Sequence, residues 1–364
     1  MITKTAFPNC YIQGKGAINR LQYEVKSFGD FGLCIVTKTG WERLNKYNIF
    51  ENSVPSIKLC YFNGECSKEE IDRLCSEARF YNAEFIIAIG GGKTIDTGKI
   101  VASRLDVPVA VVPTIASTDA PTSACAVVYD ENGGVLGVEY QKHNPNLVLV
   151  DSQIIADAPA RFLVAGMGDA LATWFEAESC RIKQAKNEVG ELGSLTAYSL
   201  AKLCYDTIIN YGVEAYNDCL NKKVTPALEA VIEANTLLSG LGFESGGLAG
   251  AHSIHNGLTS LPQTHGYYHG EKVAFGVLAS LFLSETKKKY IEEVYTFCEK
   301  VGLPTTLEDL NLKSIKYEEL IKVAKRTCQP GEFIHHEGDN ITPELVIDLI
   351  LKADKEGKRR KETK

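Results

Sequence analysis

At 364 residues, with 45% hydrophobic and 23% charged side chains, the chain has the make-up of a globular protein long enough for two domains. A formal net charge of −7 leaves it without the basic footprint of a nucleic-acid binder, and its one basic run, Lys358–Lys361, reads as a solvated terminus. Its 11 cysteines make no CxxC pair and several sit in apolar runs, the N-terminus lacks the apolar core of a signal peptide, and no apolar run nears the ~20 residues of a membrane span, so a cytoplasmic protein with reduced thiols and no membrane partner is expected.

The first half alternates short apolar runs with helical patterns. Phe31–Thr37 reads as a strand followed by a short helix, and Ser56–Phe62 as a second strand. Ser67–Asn82 carries Ile71, Leu74, Cys75 and Ala78 at helical spacing. Glu84–Ile89 is a third strand that runs into glycines. Lys93–Leu105 is a helix and Val107–Pro113 a fourth strand. Such Val/Ile-rich runs separated by helices predict a parallel sheet covered on both faces. Ala124–Tyr140, with Asp-Glu-Asn-Gly-Gly at its centre, predicts a β-hairpin, and Asn146–Val150 one more strand. From about Ala160 the pattern turns helical, over Ala160–Arg181, Gly193–Asn210, Thr225–Gly240 and Ser314–Thr327. The linker candidate is residues 155–162. The fold class expected is an α/β domain with a Rossmann-like parallel sheet over residues 1–160 and an all-α domain over 161–364.

Two loops and one histidine cluster carry chemistry. Gly90-Gly91-Gly92-Lys93-Thr94-Ile95-Asp96 lies between a strand and a helix, where backbone amides and the helix N-terminus favour an anion, the usual seat of a pyrophosphate. A P-loop would need glycine at Ile87, and the spacing also fails GxGxxG, so a dinucleotide is preferred to a mononucleotide without either signature. After the fourth strand, Thr114, Ser117, Thr118, Asp119, Thr122 and Ser123 crowd the sheet edge where such folds bind ligands; a solvated Ser/Thr turn would look the same. Of seven histidines, His252, His255, His265 and His269 fall in one short stretch. Imidazole is the commonest zinc ligand and suits iron, and no cysteine accompanies the cluster, which argues against a four-ligand structural zinc site. Asp169, in Gly168-Asp169-Ala-Leu-Ala-Thr173, is either a further ligand or a helix N-terminal charge.

These blocks, with Thr225-Pro-Ala-Leu-Glu through Phe243-Glu-Ser-Gly-Gly and His269-Gly-Glu-Lys-Val-Ala-Phe-Gly, make the chain resemble the glycerol dehydrogenase branch of the iron-containing (group III) alcohol dehydrogenase superfamily, from about Tyr11 to the last helix. The resemblance implies a dehydroquinate synthase-like architecture with the active site in the cleft. It implies metal ligands Asp169, His252 and His269; since metal-bound histidines need partners that orient the ring, His255 and His265 are expected in that role. It places a pyrophosphate on Gly91, Gly92, Lys93 and Thr94 near Asp96, and the nicotinamide half near Thr114, Ser117, Ser123, Cys125 and Tyr129. Asp119 becomes a contact for a substrate hydroxyl. The implied reaction is hydride transfer from a small polyol, glycerol to dihydroxyacetone first, to NAD, with the metal as Lewis acid and template. A homo-oligomer is expected.

Two departures qualify it. Relatives with iron carry a histidine where this chain has Thr173, so zinc is favoured over iron. The branch also has an aspartate where this chain reads Thr37-Lys38, so Thr37 removes a charge that would repel a 2′-phosphate, and some use of NADP is expected beside NAD. Rival readings are a phosphate-substrate enzyme of the same fold (glycerol-1-phosphate dehydrogenase or a dehydroquinate synthase-like lyase) and, in another class, a non-catalytic nucleotide sensor with a structural metal.

Overall fold

The computed structural model describes residues 2–47, 49–50, 54–130 and 134–363. Among the described residues eight strands occur: β1 (Tyr11–Gly14), β2 (Phe31–Val36), β3 (Ser56–Tyr61), β4 (Phe85–Gly90), β5 (Val109–Pro113), β6 (Cys125–Tyr129), β7 (Val135–Tyr140) and β8 (Leu147–Asp151). Helices α1 (Leu21–Glu24), α2 (Lys38–Leu44), α3 (Lys68–Phe80), α4 (Gly92–Leu105) and α5 (Ser152–Asp157) connect or follow them. The rest is helical: α6 (Ala160–Lys183), α7 (Leu195–Leu220), α8 (Pro226–Glu233), α9 (Ser239–Gly246), α10 (Gly250–Leu258), α11 (His269–Ser280), α12 (Glu285–Lys288), α13 (Ile291–Val301), α14 (Tyr317–Thr327) and α15 (Pro343–Glu362). No helix among the described residues is long and apolar enough to cross a membrane. All 11 cysteines are free.

Six strands form a parallel sheet in the order β1-β8-β5-β4-β2-β3. Both faces are covered, so alternate residues of one strand serve different layers. Leu33 and Ile35 pack with Ile71, Leu74 and Ile100 on one side, while Cys34 and Val36 pack with Ile18, Leu21 and Leu44 on the other. That is why the strands read as continuous apolar runs. The helix after β2 lies on one face and the helix after β4 on the other. The chain therefore reverses direction across the sheet between these neighbouring strands, and their carboxyl ends open a crevice. The expected hairpin is present as antiparallel β6 and β7, with its turn residues 131–133 outside the described ones.

Three details differ from the sequence reading. Strand β1 was not anticipated, because four half-buried residues at a sheet edge carry no apolar run. The helix expected over Gly193–Asn210 runs on to Leu220. The single helix expected over Thr225–Gly240 is interrupted by a π-helical turn, Ala234–Leu238, before α9. That turn is held by tertiary bonds: Asn235 Nδ2 donates to Ala116 O and Leu163 O, each at 3.0 Å. The apolar interior runs unbroken from the sheet through Leu163 and Met167 into the helices.

Helices α6 and α11 touch backbone to backbone. A Cβ on Gly168 would lie 2.3 Å from Gly270 O, and one on Gly270 would lie 1.8 Å from Ala165 O. Only glycines allow that approach. Gly270→Ala is expected to force the helices apart and lower the apparent stability by about 3 kcal/mol or more, the upper end of overpacking costs. A urea midpoint equal to that of the parent would contradict this packing.

Candidate active site

The close approach of α6 and α11 sets Asp169 beside His269, and α10 brings His252 to the same point. His269 Nε2 lies 3.1 Å and His252 Nε2 3.3 Å from Asp169 Oδ1, and one ligand atom from each residue falls within 4.8 Å of the others. Asp169 is buried, and neither of its oxygens receives a hydrogen bond.

The far side of each ring defines its tautomer. His252 Nδ1 lies 2.5 Å from Glu176 Oε2, which can only accept, so Nδ1–H donates and Nε2 is left facing Asp169. Asn256 Nδ2 donates to Glu332, which is ion-paired with Arg326, so Asn256 Oδ1 faces the His255 ring at 3.1 Å. His255 Nδ1 must then donate to Asn256. Its Nε2 accepts from His269 Nδ1 at 3.1 Å, again leaving Nε2 of His269 free. Burial, and after it His269 and Lys272, holds His255 well below the usual histidine pKa, as a neutral relay requires. Burial also works against charge on His252, but Glu176 and Asp169 outweigh it and raise its pKa well above normal. A divalent cation held by the three residues would take the place of that proton. The donor set, two imidazoles and one carboxylate with orphaned oxygens, fits such an ion.

Asp119 lies on the loop after β5. Its Oδ2 accepts from Ser239 Oγ at 2.7 Å, and Ser239 Oγ is 2.9 Å from Thr173 Oγ1. Burial, and then the charge of Asp169, pushes Asp119 up to about 8. Thr173 is thus buried in a hydroxyl chain leading to Asp119. The loop is fastened from below by Lys99, whose Nζ donates to Ala120 O at 2.8 Å, Ser123 O at 3.3 Å and Cys125 O at 2.5 Å. From the helical side, Thr122 Oγ1 donates to Thr236 O at 3.0 Å, and Ala124 N donates to Glu244 Oε1 at 2.7 Å.

The register Gly90↔Pro113 sets the glycine loop beside this one, and Thr114 N donates to Gly90 O at 2.9 Å. Gly91 caps α4 without any side-chain acceptor, so its first amides, including those of Lys93 and Thr94, stay open to an anion. A Cβ on Gly92 would meet nothing nearer than Thr118 Oγ1 at 3.8 Å, so the space over the loop is free. A cavity of about 330 Å³ is lined by Arg43, Thr114, Ile115 and Phe162 among others, and Ile115 is also the side chain a Cβ on Gly91 would meet, at 3.0 Å. Thr37 lies at the start of α2, a helix whose Gly40, Arg43 and Leu44 line that cavity, and its Oγ1 caps the helix by accepting from Gly40 N at 3.0 Å.

The chain matches the family model described as iron-containing alcohol dehydrogenase over residues 8–152. It is 54% identical to the glycerol dehydrogenase of Thermotoga maritima, over 99% of both chains. The chain belongs to the iron-containing alcohol dehydrogenase family, in its glycerol dehydrogenase branch. It is 46% identical to the Escherichia coli glycerol dehydrogenase, covering 97% of this chain and 96% of that one. The crystal structure of a probable glycerol dehydrogenase from Sinorhizobium meliloti superposes with a TM-score of 0.93 at 41% identity, over 98% of this chain and 100% of that one.

Not every expected residue faces the cleft. His265 is exposed and its Nε2 lies 3.1 Å from Thr259 O, so it orients no ligand; the turn Pro262–Thr264 carries it away. Asp96 is buried beneath the loop, where it pairs with Lys99 at 3.1 Å and accepts from Val127 N at 3.0 Å, holding the hairpin rather than a phosphate. Lys93 is turned to Glu65 at 2.6 Å and lies over the Tyr129 ring. Ser117 and Ser123 are buried, and Cys125 is half-buried. Glu176, Lys99 and Asn256 were missed. Glu176 had a signal, since it follows Asp169 by seven residues on one helix and so shares its face.

His252→Ala is expected to abolish stoichiometric binding of a divalent metal, and turnover with it, while NAD(H) still binds. Metal analysis after dialysis and NADH fluorescence titration measure both; a full complement of metal in that variant would remove His252 from the ligand set.

Proposed function

We propose that the protein is a metal-dependent dehydrogenase that transfers a hydride from a small polyol to NAD, glycerol to dihydroxyacetone being the leading reaction. The carrying observation is the adjacency of two half-sites. An uncapped helix start after β4 lies against Thr118, the next residue is Asp119, and Asp119 faces the Asp169–His252–His269 set. The names of the full-length relatives at 46 and 54% identity support the substrate class. The same reading assigns residues 1–160 to the nucleotide and 161–364 to metal and substrate, the last strand ending at Asp151 and α6 opening at Ala160.

A cation bound by Asp169, His252 and His269 would supply Lewis acidity toward a substrate hydroxyl. Three protein ligands with an open position are the arrangement of catalytic zinc, and Thr173 supplies no further imidazole, so we assign zinc, in a family named for iron. Glu176 and His255 hold the two rings in their ligating tautomers. Asp119 accepts a hydrogen bond from a hydroxyl remote from the reacting carbon. Asp119 and the hydroxyls of Ser239 and Thr173 suit a neutral polyol better than a phosphate, which weakens the phosphate-substrate alternative.

Glycerol and NAD are expected to give rising absorbance at 340 nm that is lost with a chelator and restored by Zn2+. No glycerol-dependent reduction of NAD would defeat the reading. Asp119→Asn should raise KM for glycerol far more than for a simple primary alcohol; equal changes would make Asp119 structural.

The cofactor's adenosine end is where this chain is most individual. Thr37 caps α2 as an aspartate would, and Arg43 lines the adjoining cavity, so NADP is admitted beside a preferred NAD. Thr37→Asp keeps the cap and adds a charge. A charged hydrogen bond is worth ~1.5–3 kcal/mol, so the ratio of kcat/KM for NAD over NADP should rise about ten- to a hundredfold. A parent that already rejects NADP as fully as the variant would place selectivity elsewhere.

A further inference from the structure

The helix that carries His252 begins inside the protein, and its first amides need acceptors. Two buried carboxylates from distant parts of the chain supply them. Glu176 Oε1 accepts from Ala249 N at 3.0 Å and from His252 N at 2.9 Å. Glu337 Oε1 accepts from Gly250 N at 3.1 Å. The second oxygen of Glu337 is engaged as well, accepting from Ser179 Oγ at 2.8 Å and pairing with Lys287 Nζ at 2.6 Å. Its side chain is 3% exposed.

Glu337 ends the short turn Phe333–Glu337, and the whole turn grips the same place. Ile334 N donates to Ser253 Oγ at 2.8 Å. His336 Nδ1 lies 2.7 Å from Leu248 O, a carbonyl that can only accept. The helix start is also shaped to receive the carboxylate, since a Cβ on Gly250 would lie 2.8 Å from Glu337 Oε1. A negative charge at a helix N-terminus is favourable in itself. Two such charges at one terminus repel, and each has its own compensation: Glu176 has the His252 ring and Glu337 has Lys287.

We propose that Glu337, held by Lys287 and Ser179, is a positioning residue for His252. It seats the first turn of α10 and thereby the direction in which His252 Nε2 faces Asp169. This rests on the metal reading above. Lys287 neutralises the second carboxylate locally. The pair borders an open cavity of about 710 Å³, so truncating Glu337 admits water instead of leaving a dry void.

The test uses the full-length chain stripped of metal. Zn2+ affinity is measured by competition with a chromophoric chelator, and the visible absorption of the Co2+-loaded protein reports ligand geometry. Glu337→Ala is expected to weaken Zn2+ binding about tenfold, the lower end of the effect of supporting residues on metal sites, and to shift the Co2+ bands. Glu337→Gln, which still accepts from Gly250 N, should recover most of the affinity. Gly250→Ala should weaken Zn2+ binding too, and should add little when combined with Glu337→Ala, because both act through one contact. Parent-like affinity and Co2+ spectrum in Glu337→Ala overturn the proposal, whatever its melting temperature. Should that variant not fold, parent-like affinity in Gly250→Ala overturns it. A parent chain that binds neither Zn2+ nor Co2+ would instead defeat the metal reading.

Discussion

Two imidazole nitrogens and a carboxylate aimed at one buried point repel one another unless positive charge lies among them. Asp169, His252 and His269 are in that position, and the surrounding polar network makes it worse on purpose. Glu176 on one side, and the Asn256–Glu332–Arg326 chain on the other, turn the ring protons outward. Each ring thus presents a lone pair to the same spot as the orphaned oxygens of Asp169. Such an arrangement is stable only with a proton or a cation at its centre, and everything nearby can be read as support for it.

That support begins with the backbone. The three candidate ligands come from three helices, and such a site must hold its groups to within about 0.5 Å. Direct contact between α6 and α11 removes side-chain slack from the distance between Asp169 and His269. The start of α10 is tied by carboxylates rather than left to fray. These are rigid elements, and a site on them is held more precisely than one on loops.

The proposed cofactor side is built differently. Its residues sit on loops at the carboxyl ends of β2, β4 and β5, and the start of α4 leaves its first amides without a side-chain acceptor. The loop bearing Asp119 has no regular structure of its own. Lys99 gathers its carbonyls from below, while Thr236, Asn235 and Glu244 hold it from the helical side. The π-helical turn at Ala234–Leu238 places Asn235 and Thr236 where they can reach that loop, which accounts for an interruption that costs the helix regular bonds.

Much of this was legible in the linear chain. The apolar runs and their helical spacers determined a parallel sheet covered on both faces, because burial on two sides leaves no room for polar alternation. Gly90–Gly92 suggested an anion site because glycines between a strand and a helix let backbone amides approach a ligand closely. Asp169, His252 and His269 stood out through resemblance to a family, since spacing across a hundred residues cannot say that an aspartate and a histidine meet. The tertiary structure alone decided the rest. It separated His255, whose ring bonds His269, from His265, whose ring bonds a surface carbonyl, though both lie in one short stretch of sequence. It turned Asp96 and Lys93 toward the hairpin and away from the loop they flank. It added β1, whose four residues become a strand only because β8 lies alongside. His265 is turned aside by a local turn, but the contacts that decide Asp96 and β1 are with Val127 and β8, far away in the chain, and local pattern carries no record of such partners.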